Sequence, residues 1–147
     1  MSRISGLDRL RDRLTQAPAA LQPLLASAVG AAAARVADEA VSALARGQAS
    51  GRLYVRRGRA YRASAPGEAP ASARGRLAHG IVVESDGLSA RVIVGPSTGA
   101  DYAAALEFGT ARMAARPFLL PAIERARPRV AETIAAAARS AIASIGR

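Results

Sequence analysis

The chain has 147 residues, which is enough for one domain with a hydrophobic core and too few for two comfortable ones. It has no cysteine, which excludes disulfides, thiol catalysis and cysteine metal sites, and its single histidine excludes a site built from several histidines. All 21 basic residues are arginine, which codon bias in a GC-rich genome would favour, but that bias does not explain the net charge of +10. The excess charge points to a polyanion or an acidic protein as partner.

Alanine supplies 38 of the residues, and tryptophan is absent. A buried alanine removes little apolar surface from water compared with leucine, isoleucine or phenylalanine. A lone copy of this chain would therefore have a thin core, and self-association is expected.

The N-terminal third predicts two helices, over residues 5–16 and 19–46. The first begins at a capping-box spacing from Ser5 to Asp8 and ends near Pro18, and the second ends at Gly47. The uncharged stretch 17–34 could also be a signal peptide or a membrane span. Because it contains Gln22 and two prolines and follows two aspartates, we expect a soluble helix.

Residues 52–63 predict a basic β-hairpin with its turn at Gly58. The following segment is rich in Ala, Ser, Pro and Gly and predicts a mobile loop with a type II turn at Pro66–Gly67. Residues 52–80 contain seven arginines against Glu68 alone. The charge and aromatic content of this segment are compatible with two kinds of partner. One is a nucleic acid, with Tyr54 and Tyr61 stacking on its bases, and the other is an acidic protein surface.

The next region, 77–95, predicts strands, with a hairpin around an Asp86–Gly87 turn and a Gly-rich turn after it. A set of Ser85, His79 and Asp86 could be assembled on paper into a catalytic triad. No nucleophile elbow or oxyanion loop surrounds these residues, so chance is the better explanation. No enzyme activity, cofactor or metal is expected.

Residues 102–110 predict a corner that leads into a final helix over 117–145, with a kink at Pro128. We expect Tyr102, Leu106 and Phe108 to form one apolar face on a strand. Glu107 would alternate away from them and pair with an arginine, Arg112, Arg116 or one in a neighbouring subunit. A catalytic acid is the less favoured interpretation. The predicted fold class is α+β: a small antiparallel sheet with long N- and C-terminal helices packed on it and an extended basic arm.

Two blocks of this sequence resemble a known family. From residue 102 the chain contains YA, LEFGT, Met113, RPFL and PA, and an earlier block reads SAPGEAPA from Ser64, followed by GRL from Gly75. Together they resemble the gene-product-ten-like head-tail joining and tail-component proteins of lambda-like phages. The match covers residues 51–122. It departs from the family pattern at Arg74, where threonine is usual, and at His79–Gly80, where a serine is common.

The resemblance implies a non-enzymatic protein of the virion neck, present in the host cytoplasm during assembly. Such proteins complete the head-proximal end of the tail as rings, commonly hexamers, and help attach it to the capsid connector. The implied partners are copies of itself, the connector or stopper, the tail terminator and the tail tube, with non-specific proximity to DNA in the channel and no membrane. A tail terminator, a connector-proximal adaptor, or an independent DNA-binding protein are the alternatives.

As a hypothesis, the basic hairpin and its Pro–Gly loop form an arm that orders on a neighbouring subunit or on an adjoining ring. The candidate contact residues are Arg52, Tyr54, Arg56, Arg57, Arg59, Tyr61, Arg62, Glu68, Arg74, Arg76, Glu107, Arg112 and Arg116. The residues of the family signature that we expect to be structural are Tyr102, Leu106, Phe108, Gly109, Pro117, Phe118 and Pro121.

Overall fold

A computed structural model describes residues 7–71 and 75–145 of the chain. It contains four helices, two β-hairpins and a short 3-10 turn, which confirms the α+β class. In chain order the elements are α1 (Leu7–Arg46), β1 (Leu53–Arg56), β2 (Arg59–Arg62), α2 (Arg76–His79), β3 (Val82–Asp86), β4 (Ser89–Ile93), α3 (Ala103–Phe108) and α4 (Leu119–Ile145). The predicted capping box lies partly outside the described residues, because Ser5 and Gly6 precede them.

The N-terminal third is one helix, so the predicted break near Pro18 is wrong. Helix α1 has 40 residues and is about 60 Å long at the usual rise. Pro18 and Pro23 each remove one amide hydrogen bond, at a cost of about 3 kcal/mol. Alanine, the best helix former, is frequent along the rest of the segment. A proline weakens such a helix without ending it.

Helix α4 packs antiparallel along the C-terminal part of α1. The register is fixed where Arg125 Nε donates a 2.7 Å hydrogen bond to Glu39 Oε1, which also accepts from Arg46 at 3.1 Å. The facing surfaces are lined by alanines, which allow two helices to approach closely. They include Ala28, Ala32, Ala40, Ala122, Ala126 and Ala141.

The core lies at one end of this helix pair, where the C-terminal part of α1 meets the beginning of α4. Phe118 is 1% exposed there, packed with Leu44, Leu77 and several alanines. Among the described residues thirteen apolar side chains are buried, and ten of them are alanine. The core is therefore as thin as the composition predicts.

The stretch Ala19–Arg46 of α1 is long and apolar enough to cross a membrane by length and composition alone, properties that core helices of soluble proteins and signal sequences share. In this structure its residues Ala40 and Leu44 belong to the core, and both α4 and the β3–β4 hairpin contact α1.

The predicted hairpin in the 77–95 region is present, with β3 and β4 paired from Val82↔Ile93 to Asp86↔Ser89. The predicted Asp86–Gly87 turn is wrong by one residue, because Asp86 ends β3 and pairs with Ser89, which leaves Gly87 and Leu88 as the turn residues. Gly87 has a φ of 56° and Leu88 is not among the positive-φ residues, so the turn is of type II′. The predicted strand start at 77 is wrong, because Arg76–His79 forms a short helical turn before β3.

The basic hairpin is also present, with β1 and β2 paired around Arg57 and Gly58. It forms a separate two-stranded sheet instead of joining β3 and β4 in one sheet. The loop that follows is anchored, which the sequence did not predict. The Glu68 N–H donates to Ala65 O across the expected Pro66–Gly67 turn. The Gly67 N–H donates to Ala115 O at 2.9 Å. Ser50 Oγ donates a third hydrogen bond, to the Glu68 carboxylate.

Candidate functional site

The segment that carries the resemblance is built around Glu107, which caps helix α4. Its Oε2 accepts from the amides of Phe118 and Leu119 at 2.8 and 3.0 Å, and its Oε1 accepts from Leu120 at 2.7 Å. The next residue, Pro121, has no amide to satisfy. A single carboxylate therefore satisfies the free amides of this helix start and adds a favourable interaction with the helix dipole.

The expected strand in this segment is wrong, and so is the expected pairing of Glu107 with an arginine of the same chain. Residues 103–108 form helix α3 and not a strand, so Glu107 and its apolar neighbours do not alternate. Within the chain Glu107 meets backbone amides instead of an arginine, because the α4 amides lie where its carboxylate points. Phe108 is 80% exposed and does not share a buried face with Leu106.

The tight turn after α3 requires Gly109. Its φ is 74° and its ψ is −178°, a conformation open to glycine almost alone. A Cβ there would also lie 2.9 Å from both Met113 O and Ala115 N. The turn brings Arg116 N–H within 2.7 Å of Leu106 O, so the chain doubles back on α3 before α4 begins at Leu119.

A groove of about 780 Å³ lies between this corner, the basic hairpin and the end of α1. We call it the arginine groove. It contains all three tyrosines of the chain and four arginines, with apolar walls that include Leu44, Leu77, Leu106 and Met113. The polar and aromatic members are Tyr54, Tyr61, Tyr102, Arg62, Arg76, Arg112 and Arg116.

The groove arginines bond to neutral acceptors. Arg62 donates to Gly51 O at 3.1 Å, Arg76 to Gly99 O at 3.4 Å and Arg116 to Ser64 O at 3.0 Å. The ion pairs found in the described part of the chain involve Arg46, Arg125 and Arg127 and none of these groove residues. The groove is therefore an apolar surface with uncompensated positive charge.

Two tyrosines on the basic hairpin form a stacked pair. Tyr54 and Tyr61 are cross-strand partners with ring centroids 5.5 Å apart and planes 19° apart. The guanidinium of Arg52 lies 5.8 Å from the Tyr54 ring centroid, a cation–π distance. The two stacked rings form part of one wall of the groove.

The remaining predicted contact residues lie elsewhere. Arg57 and Arg59 are at the far end of the hairpin, Arg56 is in β1, and Arg74 lies outside the described residues. Glu68 lines a second, smaller cavity of about 450 Å³, together with Arg46 and Arg125. The structure thus brings together about half of the predicted contact set.

Sequence reasoning missed that Tyr102 joins the two hairpin tyrosines, and that Met113 and Leu77 complete the apolar walls. Tyr102 is about 40 residues from Tyr61 along the chain, and no local pattern connects them. Tyr102 belongs to the segment that carries the resemblance, but the resemblance does not indicate that its side chain lines a groove.

The three residues considered as a catalytic triad, His79, Ser85 and Asp86, lie in different environments. His79 is in α2, where its Nδ1 lies 2.7 Å from Gly75 O, whereas Ser85 and Asp86 belong to β3, and Ser85 lies beside Gly30 of α1. Within residues 7–71 and 75–145 no three histidine or carboxylate side chains group as metal ligands. The Gly-rich segment after β4 is the expected turn, closed by Ala100 N–H donating to Gly95 O at 2.8 Å.

No protein-family model matches this chain, and neither the curated proteins nor the solved structures contain a significant match to it.

Proposed function

We propose that this chain is a structural protein of a tailed-phage neck that works as a ring, completing the head-proximal end of the tail and joining it to the capsid connector. The observation that carries the proposal is that the solvent-accessible surface of the chain is larger than expected for its mass. The accessible area is 10482 Å², whereas a folded monomer of this mass has about 7000 Å². A chain with so large an accessible surface and a core made mostly of alanine can bury more apolar surface by packing against other subunits.

The large aliphatic side chains of α4 support the same proposal. Leu120, Ile134 and Ile142 are exposed, whereas Ala122 and Ala126 of the same helix are buried. The exposed side chains recur at spacings of 14 and 8 residues, about 3.9 and 2.2 turns, so all three lie within an arc of about 80° around the helix. A second subunit packed on this stripe would bury it.

The resemblance supplies the phage context. Its signature residues converge on one structural corner: Glu107 caps α4, Gly109 makes the turn and Phe118 fills the core. Roles of this kind are architectural, which is consistent with a protein that acts by shape and assembly. The proposed location is the virion neck, after assembly in the host cytoplasm.

An independent DNA-binding protein is the second candidate. The stacked Tyr54–Tyr61 pair beside uncompensated arginines is the arrangement that takes up stacked bases and phosphates. The two proposals differ in the assembly state and in the salt dependence of DNA binding.

Native mass spectrometry of the purified protein, with DNA binding measured at two salt concentrations, separates the two functions. A DNA-free closed ring supports the neck protein. A monomer or dimer with tight, sequence-selective binding at physiological salt contradicts it. Electron microscopy of an intact particle would then assign the position among completion protein, terminator and connector-proximal adaptor.

A further inference from the structure

The arginine groove has the chemistry of a carboxylate-binding surface. Three of its guanidinium groups each donate one bond to a backbone carbonyl, which leaves further N–H donors on every arginine. Arg112, whose backbone amide binds Thr110 Oγ1, extends from the exposed turn after α3. Guanidinium groups bind carboxylates with paired hydrogen bonds, so a ligand with acidic and apolar groups fits this groove best.

The tip of the β3–β4 hairpin, residues 84–89, carries the complementary chemistry on the same chain. Glu84 and Asp86 make no ion pair among those found in the described residues, and Leu88 at the turn is 55% exposed. Arg91 faces Glu84 across the hairpin, so Asp86, opposite Ser89, is the less compensated of the two acids. The two-residue turn makes the tip narrow.

The tip cannot reach the groove of its own chain. Residues at the base of the hairpin, Ile81 and Val94, pack against the core beside Leu44, whereas Ser85 lies against Gly30 of α1. Gly30 and Leu44 are 14 residues apart, or about 21 Å along the helix. The hairpin thus runs away from the groove, and its tip lies beside the middle of α1, about 21 Å along the helix from Leu44.

We propose that the β3–β4 tip of one copy docks in the arginine groove of the next, with Asp86 and Glu84 meeting the groove arginines and Leu88 entering between the apolar walls. Such a contact is head-to-tail, because it joins two different surfaces, and repetition of it closes a ring or extends a filament. The inference supplies the subunit contact of the ring proposed above and rests on that assembly, although it does not depend on a phage origin.

Site-specific cross-linking tests the contact directly, because the native chain has no cysteine. Leu88→Cys and Met113→Cys proteins are prepared separately and mixed under mild oxidation. We expect disulfide-linked dimers in the mixture in large excess over either protein alone. Leu88→Cys mixed with Ala136→Cys is the matched control, since Ala136 is exposed on α4 outside both the groove and the stripe of Leu120, Ile134 and Ile142. Equal cross-linking in both mixtures would overturn the proposal.

Charge reversal provides the second test. Asp86→Arg and Arg112→Asp should each weaken self-association at least tenfold, or about 1.4 kcal/mol, and the double variant should recover most of the loss. Glu132→Arg, on the exposed side of α4, should leave association unchanged. Sedimentation equilibrium gives the constants, and circular dichroism checks that each variant is folded.

The outcomes separate this contact from the assembly itself. If the wild-type protein stays monomeric at every concentration tested, both the ring and the contact are wrong. If it assembles but the single reversals have no effect, the ring stands and the contact is wrong. If Arg112→Asp instead abolishes binding of single-stranded DNA and leaves association intact, the groove is a nucleic-acid surface and the docking proposal is overturned.

Discussion

Glu107 connects two parts of the chain that local sequence patterns treat separately. Its carboxylate belongs to helix α3, yet all three of its hydrogen bonds go to the first amides of α4. The usual capping residue lies at the start of its own helix, but here the cap comes from about a dozen residues upstream. The consequence is that α3, the Gly109 turn and the start of α4 form one rigid corner.

Replacing Glu107 by alanine should destabilise the protein by about 2–3 kcal/mol, because it leaves three amides near the core without an acceptor. Glu107→Gln keeps one oxygen acceptor and should lose less. Equilibrium urea unfolding measures both changes.

Glu124→Ala is the control for that experiment. Glu124 forms an exposed pair with Arg127 at 2.9 Å, and removing it should cost less than about 1 kcal/mol. If the alanine variants at 107 and 124 lost the same stability, the capping role of Glu107 would be wrong.

Arg57 is the only non-glycine residue with positive φ among those described, at 52°. It occupies the first central position of the β1–β2 turn, and Gly58 follows with a φ of 74°. Positive φ at both positions defines a type I′ turn, which favours Asn–Gly. An arginine there stores conformational strain.

At the scale of the hairpin, Arg57→Asn should therefore stabilise the β1–β2 turn by about 1 kcal/mol. Hydrogen exchange of the hairpin amides measures this locally. Arg59→Asn is the matched control, since Arg59 lies in β2 without positive φ and asparagine is a poor strand former. Faster exchange in Arg57→Asn than in the wild type would contradict the turn assignment.

The two long helices are joined by a polar contact at Glu39. The hydrogen bond from Arg125, with a further contribution from Arg46, holds the pKa of Glu39 below its usual value of 4.5. A carboxylate whose pKa is lowered on folding stabilises the folded state above its unfolded pKa, and this contribution disappears as the pH falls through the lowered value.

The difference in stability between the wild type and Glu39→Gln should therefore be constant near neutral pH and shrink as the pH drops below about 4.5. Thermal unfolding of both proteins from pH 7 to pH 3 measures it. High salt should also reduce the difference, because the pair is partly exposed. A difference that stayed the same at pH 3 would show that this pair does not link the helices.

At the scale of the whole molecule, the large accessible surface and the exposed stripe on α4 predict a subunit interface. Ile134→Glu should weaken self-association and leave the monomer folded, because the side chain is exposed in the single chain. Sedimentation velocity and circular dichroism measure the two properties. Ala136→Glu, exposed on the same helix but about 120° or more around it from each stripe residue, is the control. An unchanged assembly in Ile134→Glu would exclude this stripe from the interface.

Much of the fold could be predicted from local patterns. The two hairpins follow from β-branched runs and arginine–apolar alternation around Gly58 and Gly87, and the long helices follow from periodic apolar residues in alanine-rich segments. The thin core follows from the alanine content. Each of these properties depends on residues that are neighbours in sequence or on composition alone.

Only the tertiary structure decided the arrangement of the candidate site. The sequence of the LEFGT segment alternates as a strand would. Glu107, however, binds amides at the start of α4, further along the chain, and this contact favours helix α3 over a strand. Tyr102 and Tyr61 line one groove although they are about 40 residues apart, because contacts between distant segments bring them to the same place. The sequence by itself determined a basic, alanine-rich α+β chain. Long-range packing decided where its arginines and tyrosines meet.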